Sequence, residues 1–485
     1  MTVPVPRASE SALTPIKFSR LARRGVLLGL SAPQLALVGV AAGCLVAGLY
    51  LGVLGLAAPA IASCVAGAFI RVGGRAIVEW APTGAAWVWR SAGDQLVYRA
   101  RILKPRPAGT LALPGDAARL RQWVDPESGA VMVHDPHAAT LTAVVAVTHP
   151  AFVLLDPAEQ ERRVITWGRV LATACHSGRL ASLQVMERTL PESGKGLADW
   201  WEHNRGQDDS WAAGTYADLV ERAGPAGERH ASTISIAVDL KASGKAIRAA
   251  GGGMRGSAAV LRQQMATITA ALQAADLSPS GWLGPGDLAV MLRSAYDPAV
   301  AGALERQGDV GRDLAQAGPV AVTESWGSLR SDSAHHCVLW ISEWPRSIVF
   351  PGFLAPVLLA SGVRRTFTLL YTPMRTDRAA RDIRKKKTEY ISDAAQRQRI
   401  GRIEDAQQAA ELHDVLQQEA DLIAGHGVLR VTGLVSVSAT TPDELEQAVA
   451  VVEQAAIQAS CETRRLWGQQ AQAFTLAALP LARPL

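Results

Sequence analysis

The 46 residues between Arg24 and Arg71 contain no charged side chain and consist mostly of Val, Leu, Ala, Gly and Ile. About 20 apolar residues are enough for one helix to cross the hydrocarbon layer of a membrane. Residues 25–70 therefore predict a transmembrane hairpin. Its first span covers about 26–49, its second span about 53–70, and a glycine-rich turn joins them.

Basic residues lie on both sides of this hairpin, and Lys- and Arg-rich flanks stay in the cytoplasm. We therefore expect a multi-pass protein of the cytoplasmic (inner) cell membrane with both termini in the cytoplasm. Three tryptophans follow the second span and indicate a segment that lies in the membrane interface. The residues that define this topology are Arg20, Arg23, Arg24, Arg71, Arg75, Trp80, Trp87 and Trp89.

A cleaved signal peptide is the competing interpretation, because residues 58–60 (Ala-Pro-Ala) resemble a cleavage site. The first span is longer than the apolar region of a signal peptide, and a second basic cluster follows the apolar run. Both features favour a retained anchor.

Strands and helices alternate through the remainder of the chain. This pattern predicts a membrane-anchored α/β (α+β) protein, in which ferredoxin-like α/β layers follow the two-helix hairpin. A last short strand is expected at 474–476. The predicted organisation is a cytoplasmic N-terminus (1–24), the hairpin (25–70), a basic, Trp-containing juxtamembrane segment and linker (71–116), a first α/β subdomain (117–335) and a second α/β subdomain (336–485) with a long helical insertion at about 377–424.

The sequence contains no phosphate-binding loop of the type that a secretion motor requires. Two Gly-Lys pairs occur, but Lys195 and Lys245 are followed by Gly196 and Ala246 where Ser or Thr is needed. Residues 251–256 match G-x-G-x-x-G, yet they lie between helical segments and predict a loop or a helix break. The five cysteines form no C-x-x-C pair, so neither a disulfide framework nor a zinc site is indicated.

One cluster, His335-His336-Cys337, has the residue types of a metal or nucleophile site. It falls at the start of a predicted strand, where neighbouring side chains point to opposite faces. A structural role is the favoured interpretation, so no catalytic, cofactor-binding or metal-binding residue is predicted. The alternative is a membrane-anchored enzyme that brings these residues together with a carboxylate such as Glu343.

The densest basic cluster is Arg384, Lys385, Lys386 and Lys387, on the predicted long helix. It is either a solvated helix face or a contact for anionic lipid or an acidic partner. The net charge of +5 is modest and much of it flanks the hairpin, so we expect contact with nucleic acid only indirectly. A subunit that guides transferred DNA remains a further alternative, which predicts salt-dependent binding to single strands.

Two parts of the chain together resemble an actinobacterial conjugation or type IV secretion-like membrane protein. Residues 1–105 resemble the PrgI-type two-span subunit of conjugation systems, through the basic N-terminus, the tight hairpin and the Arg/Trp segment at 71–101. The rest resembles the N-terminal, non-catalytic domain of conjugative type IV secretion ATPases. That likeness is carried by 365–371 (RTFTLLY), 427–437, 441–445 (TPDEL), 461–466 (CETRRL) and 470–480 (QAQAFTLAALP).

The resemblance implies a non-enzymatic scaffold without a cofactor, part of a hetero-oligomeric complex that docks a separate secretion ATPase to polytopic channel subunits. In that family the Leu-Pro passage leads into the ATPase domain, whereas Leu485 is the last residue of this sequence. An alternative is the E-type core component of a type VII (ESX) secretion system, which also has two N-terminal spans and a cytoplasmic domain without catalytic residues.

Overall fold

The computed structural model describes residues 18, 30–101, 107, 109–149, 152–191, 195–205, 210–223, 227–306, 313–399, 406–424 and 427–484. The chain separates into two compact units. Leu21–Leu96 forms a helical unit, called the hairpin unit below. Val97–Leu485, together with Met1–Arg20, forms a larger unit around one sheet, called the sheet unit.

The hairpin unit contains two apolar helices followed by a short strand pair and a third helix. Gln34, in the first turn of the first helix, donates a hydrogen bond from Nε2 to the carbonyl of Ala68 near the end of the second (2.8 Å). The two apolar helices are therefore antiparallel neighbours. The elements are α1 (Ala32–Tyr50), α2 (Leu54–Phe69), β1 (Arg71–Val72), β2 (Arg75–Ala76) and α3 (Ile77–Ala92).

The sheet unit mixes strands and helices along its whole length. Its strands are β3 (Val97–Arg99), β4 (Arg121–Val124), β5 (Val131–Asp135), β6 (Thr140–Thr148), β7 (Leu180–Pro191), β8 (Glu228–Asp239), β9 (Ser278–Trp282), β10 (Ala321–Glu324), β11 (Leu329–Ser331), β12 (Ala334–Glu343), β13 (Arg364–Met374), β14 (Val428–Ala439) and β15 (Glu462–Arg465). Its helices are α4 (Pro157–His176), α5 (Lys195–Asn204), α6 (Trp211–Ala223), α7 (Gly244–Ala249), α8 (Gly253–Ala274), α9 (Pro285–Tyr296), α10 (Ala301–Arg306), α11 (Ala355–Leu358), α12 (Thr376–Arg399), α13 (Ala406–Ile423), α14 (Pro442–Gln458) and α15 (Gln470–Ala477).

These strands form one 13-stranded sheet, and the pairings among the described strands are antiparallel. Its main path has the order β3-β10-β11-β12-β14-β13-β7-β8-β6-β5-β4, while β9 also pairs with β6 and β15 with β12.

The centre of this sheet consists of two modules with the same connectivity. The first module is β6-α4-β7-β8-α8-β9, with strand order β9-β6-β8-β7. The second is β12-α11-β13-β14-α14-β15, with strand order β15-β12-β14-β13. Each follows a β-α-β-β-α-β path in which the first strand lies between the fourth and the third. The modules meet edge to edge, because β7 pairs with β13 from Leu183↔Tyr371 to Arg188↔Thr366.

Strand alternation divides the core between the two faces of the sheet. On one face, Leu141, Ala143 and Val145 of β6 pack with α4 and α8, and Cys337 and Leu339 of β12 pack with α14. On the other face, Val144 and Val338 belong to a cluster with α9 and α15. Successive side chains of a strand point to opposite faces of the sheet. Because β6 and β12 are apolar at neighbouring positions, both faces of the sheet need to be covered by helices.

Residues 476–483 cross the second face of the sheet and are held by buried polar side chains. Gln184 of β7 donates from Nε2 to the carbonyls of Leu476 (3.1 Å) and Leu479 (3.0 Å), and its Oε1 accepts from the N–H of Ala482 (2.7 Å). Hydroxyl groups of four strands donate to other carbonyls of this segment. They belong to Thr142, Ser182, Ser235 and Thr368. Side chains of β6, β7, β8 and β13 thus provide hydrogen-bond partners for the backbone groups of the segment at 476–483.

The predicted mixture of α and β structure is confirmed, with differences in detail. The boundary expected between residues 335 and 336 lies inside β12, so strands of both predicted subdomains belong to one sheet. The strand expected at 474–476 is wrong, since these residues belong to helix α15, where buried Phe474 packs against Tyr296 and His336. The last strand is β15 instead.

Replacing Gln184 by Ala is expected to lower the free energy of unfolding by about 2–3 kcal/mol, because three buried backbone groups lose their partner. Urea unfolding of the purified full chain in a mild detergent measures this. Gln263→Ala is the matched control. Gln263 is exposed and hydrogen-bonded to Arg179, so a change within about 0.5 kcal/mol is expected. Equal effects for the two variants would contradict the role given to Gln184.

Candidate membrane and partner-binding surfaces

Helix α1 is the one helix among the described residues that is long and apolar enough to cross a membrane. It has 19 residues, which corresponds to about 28 Å. Large apolar side chains such as Val46 (66% exposed) and Leu49 (63%) point away from the rest of the unit. A helix near the N-terminus with these properties is weak evidence for a span, because signal sequences share them.

The second predicted span, at 53–70, is shorter in the structure than the sequence indicated. Helix α2 covers 16 residues, about 24 Å, and contains Pro59. It begins after the turn at Val53, and the chain is extended from Ile70 onwards. A multi-pass arrangement is therefore not supported by helix length alone.

Close packing between α1 and α2 depends on small residues. A Cβ atom at Gly48 would lie 2.9 Å from the Cβ of Ala57, and one at Gly67 would lie 3.2 Å from Leu37 Cδ1. Gly39 and Gly43, also on α1, have open space around them and do not lie at this interface. The interface uses the small residues that helix pairs in membranes favour.

The residues after α2 form a compact Arg–Trp arrangement. β1 and β2 pair through Arg71↔Ala76 and Val72↔Arg75. Trp80 on α3 donates from its indole nitrogen to the carbonyl of Val72 (3.0 Å), and the Arg75 guanidinium lies 5.9 Å from the centre of the Trp80 ring. A cation over an aromatic face is attracted to it.

The other end of α3 repeats this pairing. The Arg90 guanidinium lies 5.5 Å from the centre of the Trp87 ring, while Trp89 and Val88 are exposed. Tryptophan and arginine on one amphipathic helix are typical of the membrane interface. The remaining predicted topology residues, Arg20, Arg23 and Arg24, lie outside the described residues.

The basic cluster lies on α12, as expected for the long helical insertion. Arg384, Lys385 and Lys386 are exposed, whereas Lys387 is half-buried and its Nζ lies 2.7 Å from Glu419 Oε2 on α13. Apolar contacts also join α12 and α13, through Ile383, Tyr390 and Val415. One of the four cations thus holds the helical hairpin together, and three face outward.

His335, His336 and Cys337 do not converge on a common site. His336 and Cys337 are both fully buried, but His336 packs with Phe474 on one face of the sheet, and Cys337 packs with α14 on the other. His335 is partly exposed, and Glu343 forms an ion pair with Arg346.

The surroundings of His336 and Cys337 keep both side chains uncharged. His336 is hydrogen-bonded to the hydroxyls of Ser331 and Ser438 (2.8 Å each). Burial lowers the pKa of His336 to about 4 and raises the pKa of the Cys337 thiol to about 12. A neutral imidazole and a protonated thiol suit core packing rather than nucleophilic chemistry. The part of the chain that the structure describes contains no group of three or more His, Cys, Asp or Glu that could bind a metal ion.

A polar chain that sequence reasoning missed crosses β7 and β8. Ser232 donates its hydroxyl proton to Glu187, His230 Nδ1 lies 3.2 Å from Glu187 Oε1, and His149 Nε2 lies 2.9 Å from Ser232 Oγ. Because the single proton of Ser232 is committed to Glu187, His149 donates to Ser232 rather than accepting from it. This is not the geometry that activates a serine nucleophile.

An apolar cavity of about 250 Å³ lies beside this chain. His149 lines both, together with Phe152, Arg163, Val164, Trp167, Ala275 and Leu277. No spacing in the sequence signals this arrangement, because its members come from segments that only the register of the sheet brings together.

Exposed aromatic residues cover the helices α5 and α6, to which the sequence analysis assigned no role. Trp211 is 85% exposed and Trp200 is 54% exposed. Trp201 packs against Tyr216, with ring centres 4.7 Å apart, and so joins the two helices. The sequence feature that could have indicated this is the concentration of aromatic residues at 200–216. The helices that carry them are too short to bury them all.

We expect His336 to make the stability of the protein depend on pH. Its pKa is about 4 in the folded state against 6.5 in the unfolded chain, so unfolding takes up a proton below pH 6.5. The stabilisation is complete above pH 6.5 and is lost as the pH falls from 6.5 towards 4. Between pH 7 and pH 5 the loss is about 2 kcal/mol.

The measurement is urea unfolding of the wild type and of His336→Gln at both pH values. Gln keeps an amide in the polar pocket but cannot be protonated. The variant is expected to lose about 2 kcal/mol less than the wild type on acidification. An identical pH dependence in the two proteins would show that His336 is already charged in the folded state.

In comparisons with known proteins, no family model and no curated protein matches the chain. The features of the chain that suit binding are the apolar helix α1 with its exposed side chains, helix α3 with Trp80 and Trp87 beside Arg75 and Arg90, the basic helix α12, and the exposed aromatic side chains on α5 and α6.

Proposed function

We propose that the protein is a non-enzymatic scaffold of the cell membrane that belongs to a conjugation or type IV-like secretion machine. Its hairpin unit anchors it in the bilayer, and its ferredoxin-like sheet unit docks a separate ATPase to the membrane channel. Tethering of this kind raises the effective concentration of the motor at the channel.

The main support for this proposal is the hairpin unit. An apolar helix with outward-facing side chains is followed at once by its antiparallel partner and by a helix of paired Arg and Trp. In this proposal both α1 and α2 cross the membrane. A bilayer accommodates a short span such as α2 by local thinning at modest cost. The termini of the hairpin are then both cytoplasmic, on the side of the basic residues.

The helical insertion α12–α13 supports a docking role for the sheet unit. Its charged outer surface, with Arg384, Lys385 and Lys386, suits an acidic partner or anionic headgroups. The insertion has its own apolar contacts and the Lys387–Glu419 ion pair, so it presents this surface as a formed hairpin.

Cysteine labelling in intact cells is expected to place the α1–α2 turn outside the membrane and the sheet unit inside. Tyr50 at this turn is 91% exposed. Tyr50→Cys should react with a membrane-impermeant maleimide in intact cells, and Asp199→Cys on α5 should react only after permeabilisation. The wild type is the control. Burial raises the pKa of Cys175, Cys337 and Cys461, so they react slowly.

Two outcomes of this labelling would contradict the two-span hairpin. Labelling of Tyr50→Cys only after permeabilisation would mean that the turn does not cross the bilayer. Labelling of Asp199→Cys in intact cells would place the sheet unit on the outer side.

Purification of the tagged full chain from detergent-solubilised membranes is expected to recover a nucleotide-hydrolysing subunit with a phosphate-binding loop and a polytopic membrane protein. Mass spectrometry identifies both. A matched purification of a chain lacking residues 25–70 controls for contacts that arise after lysis. Absence of any ATPase or channel subunit from the wild-type sample would overturn the docking role.

A further inference from the structure

The two modules differ in the connection that joins their first and second strands. In the first module this connection contains helix α4, which has 20 residues and carries both Glu and Arg side chains. In the second module the corresponding connection, residues 344–363, contains only α11, which has 4 residues. No residue from 347 to 363 is charged. Residues 347–363 are called the uncharged segment below.

One side of the uncharged segment packs into the core of the second module. Val357 and Val363 are buried in the apolar cluster that includes residues of α14, and Phe353 and Leu358 pack against that cluster. These contacts hold the segment on the sheet although little of it is helical. Apolar side chains of the segment that do not reach this cluster lie outside the core.

Two large apolar side chains of the segment are mostly exposed. Ile348 is 60% exposed and Phe350 is 52% exposed. Val349 between them has the extended backbone of a β-bridge, and Pro351 favours an extended backbone for Phe350 before it. Side chains two positions apart on an extended chain point to the same side. Ile348 and Phe350 therefore project together, and we call them the apolar tip.

The same connection binds a residue that precedes the hairpin unit. Phe18 stacks on Trp344, with ring centres 5.1 Å apart, and meets Phe353 edge to face at 5.6 Å. The uncharged run at the N-terminus begins at Gly25, seven positions after Phe18. Because seven extended residues span at most about 25 Å, the chain keeps Gly25 within about that distance of the ring contact with Trp344.

We propose that the apolar tip inserts into the membrane interface and holds the sheet unit against the bilayer. This inference rests on the proposed function, since it takes the apolar hairpin as the membrane anchor. The short link from Phe18 to Gly25 brings the bilayer within reach of the connection at 344–363. Apolar side chains gain free energy when they leave water for the boundary between headgroups and acyl chains.

Charge distinguishes the apolar tip from an exposed apolar pair at the corresponding position of the first module. Val153 and Leu154 are exposed at the start of that connection. Asp156 and Glu159 follow them closely, and carboxylates are costly to move out of water and are repelled by anionic headgroups. The connection at 344–363 contains no Asp or Glu. The pair in the first module therefore provides a matched control.

An environment-sensitive fluorophore tests the proposal on the full chain reconstituted into vesicles of phosphatidylcholine and phosphatidylglycerol. Phe350→Cys carries the label at the tip, and Leu154→Cys carries it at the control position. Wild-type protein labelled in parallel gives the background from the native cysteines. Nitroxide lipids quench a label in the interface, and iodide quenches a label in water. Lipid quenching is expected to be severalfold stronger for Phe350→Cys, and iodide quenching severalfold stronger for Leu154→Cys.

A second substitution in the labelled protein tests whether the apolar character of the tip is responsible. Ile348→Asp together with Phe350→Cys is expected to lower lipid quenching to the level of Leu154→Cys, because a carboxylate opposes insertion. Ile348→Leu together with Phe350→Cys is the matched control and should leave the quenching unchanged. Circular dichroism of each variant shows whether the sheet unit is still folded.

Two results would overturn the proposal. Lipid quenching of Phe350→Cys that is no stronger than that of Leu154→Cys would mean that the tip stays in water. A label at Phe350→Cys that neither quencher reaches would mean that protein, and not lipid, covers the tip.

Flotation of the same vesicles separates this inference from the proposed function. A chain that floats with the vesicles while its Phe350→Cys label stays in water overturns the apolar tip and leaves the anchor standing. A chain that does not float overturns the anchor and this inference with it. A chain with its tip in the interface that recovers no ATPase from membranes supports the inference and overturns the docking role.

Discussion

The pairing of β7 with β13 is the contact on which the sheet unit depends. In each module the second strand lies at an edge, and an edge strand exposes unpaired N–H and C=O groups that invite association with other chains. Here the two edges satisfy each other over six residue pairs, from Leu183↔Tyr371 to Arg188↔Thr366. Tyr371 of the second module also packs into the apolar cluster of the first. The β7–β13 pairing thus leaves neither edge strand unpaired and joins the apolar cores of the two modules.

The same pairing explains where the helices lie. It makes the two modules antiparallel across their junction, so α4, α8 and α14 cover one face of a common sheet. The opposite face is covered by α9, α15 and the segment at 476–483. It also places the inserted helices α5–α6 and α12–α13 at opposite ends of the central strands. A chain with two modules stacked face to face would have neither property.

Individual strands and helices were largely predictable from the sequence, whereas the pairing between strands was not. The apolar run at 140–147 indicates a strand, and the spacing of Val164, Trp167, Val170 and Ala174 indicates a helix, because burial imposes periods of 2 and 3.6 on these segments. The three glycines at 251–253 break the chain between α7 and α8, and all have positive φ. Periodicity says nothing about which strand lies beside which, so the edge-to-edge junction and the single sheet could not be derived.

The same limit applies to the candidate surfaces. The Arg–Trp helix α3 and the basic residues of α12 were visible in the sequence, since charge and aromatic content are local properties. The polar chain of His149, Ser232 and Glu187 was not, because it depends on register between β7 and β8 and on the end of β6. The span at 53–70 was too long in the prediction because apolar composition does not reveal where the extended chain at Ile70 begins.

The polar side chains that bind residues 476–483 also impose an order on folding during synthesis. Ser182 and its acceptor at residue 482 are separated by 300 positions. At translation rates of about 5 to 20 residues per second, the ribosome reaches the second partner roughly 15 to 60 s after the first. During that interval Thr142, Ser182, Gln184 and Ser235 lack the backbone groups of 476–483 to which they later bind, and this face of the nascent sheet is exposed to water. Helices α1 and α2 have left the ribosome long before the segment at 476–483 is made, so this face of the sheet unit is the part of the core that is completed last.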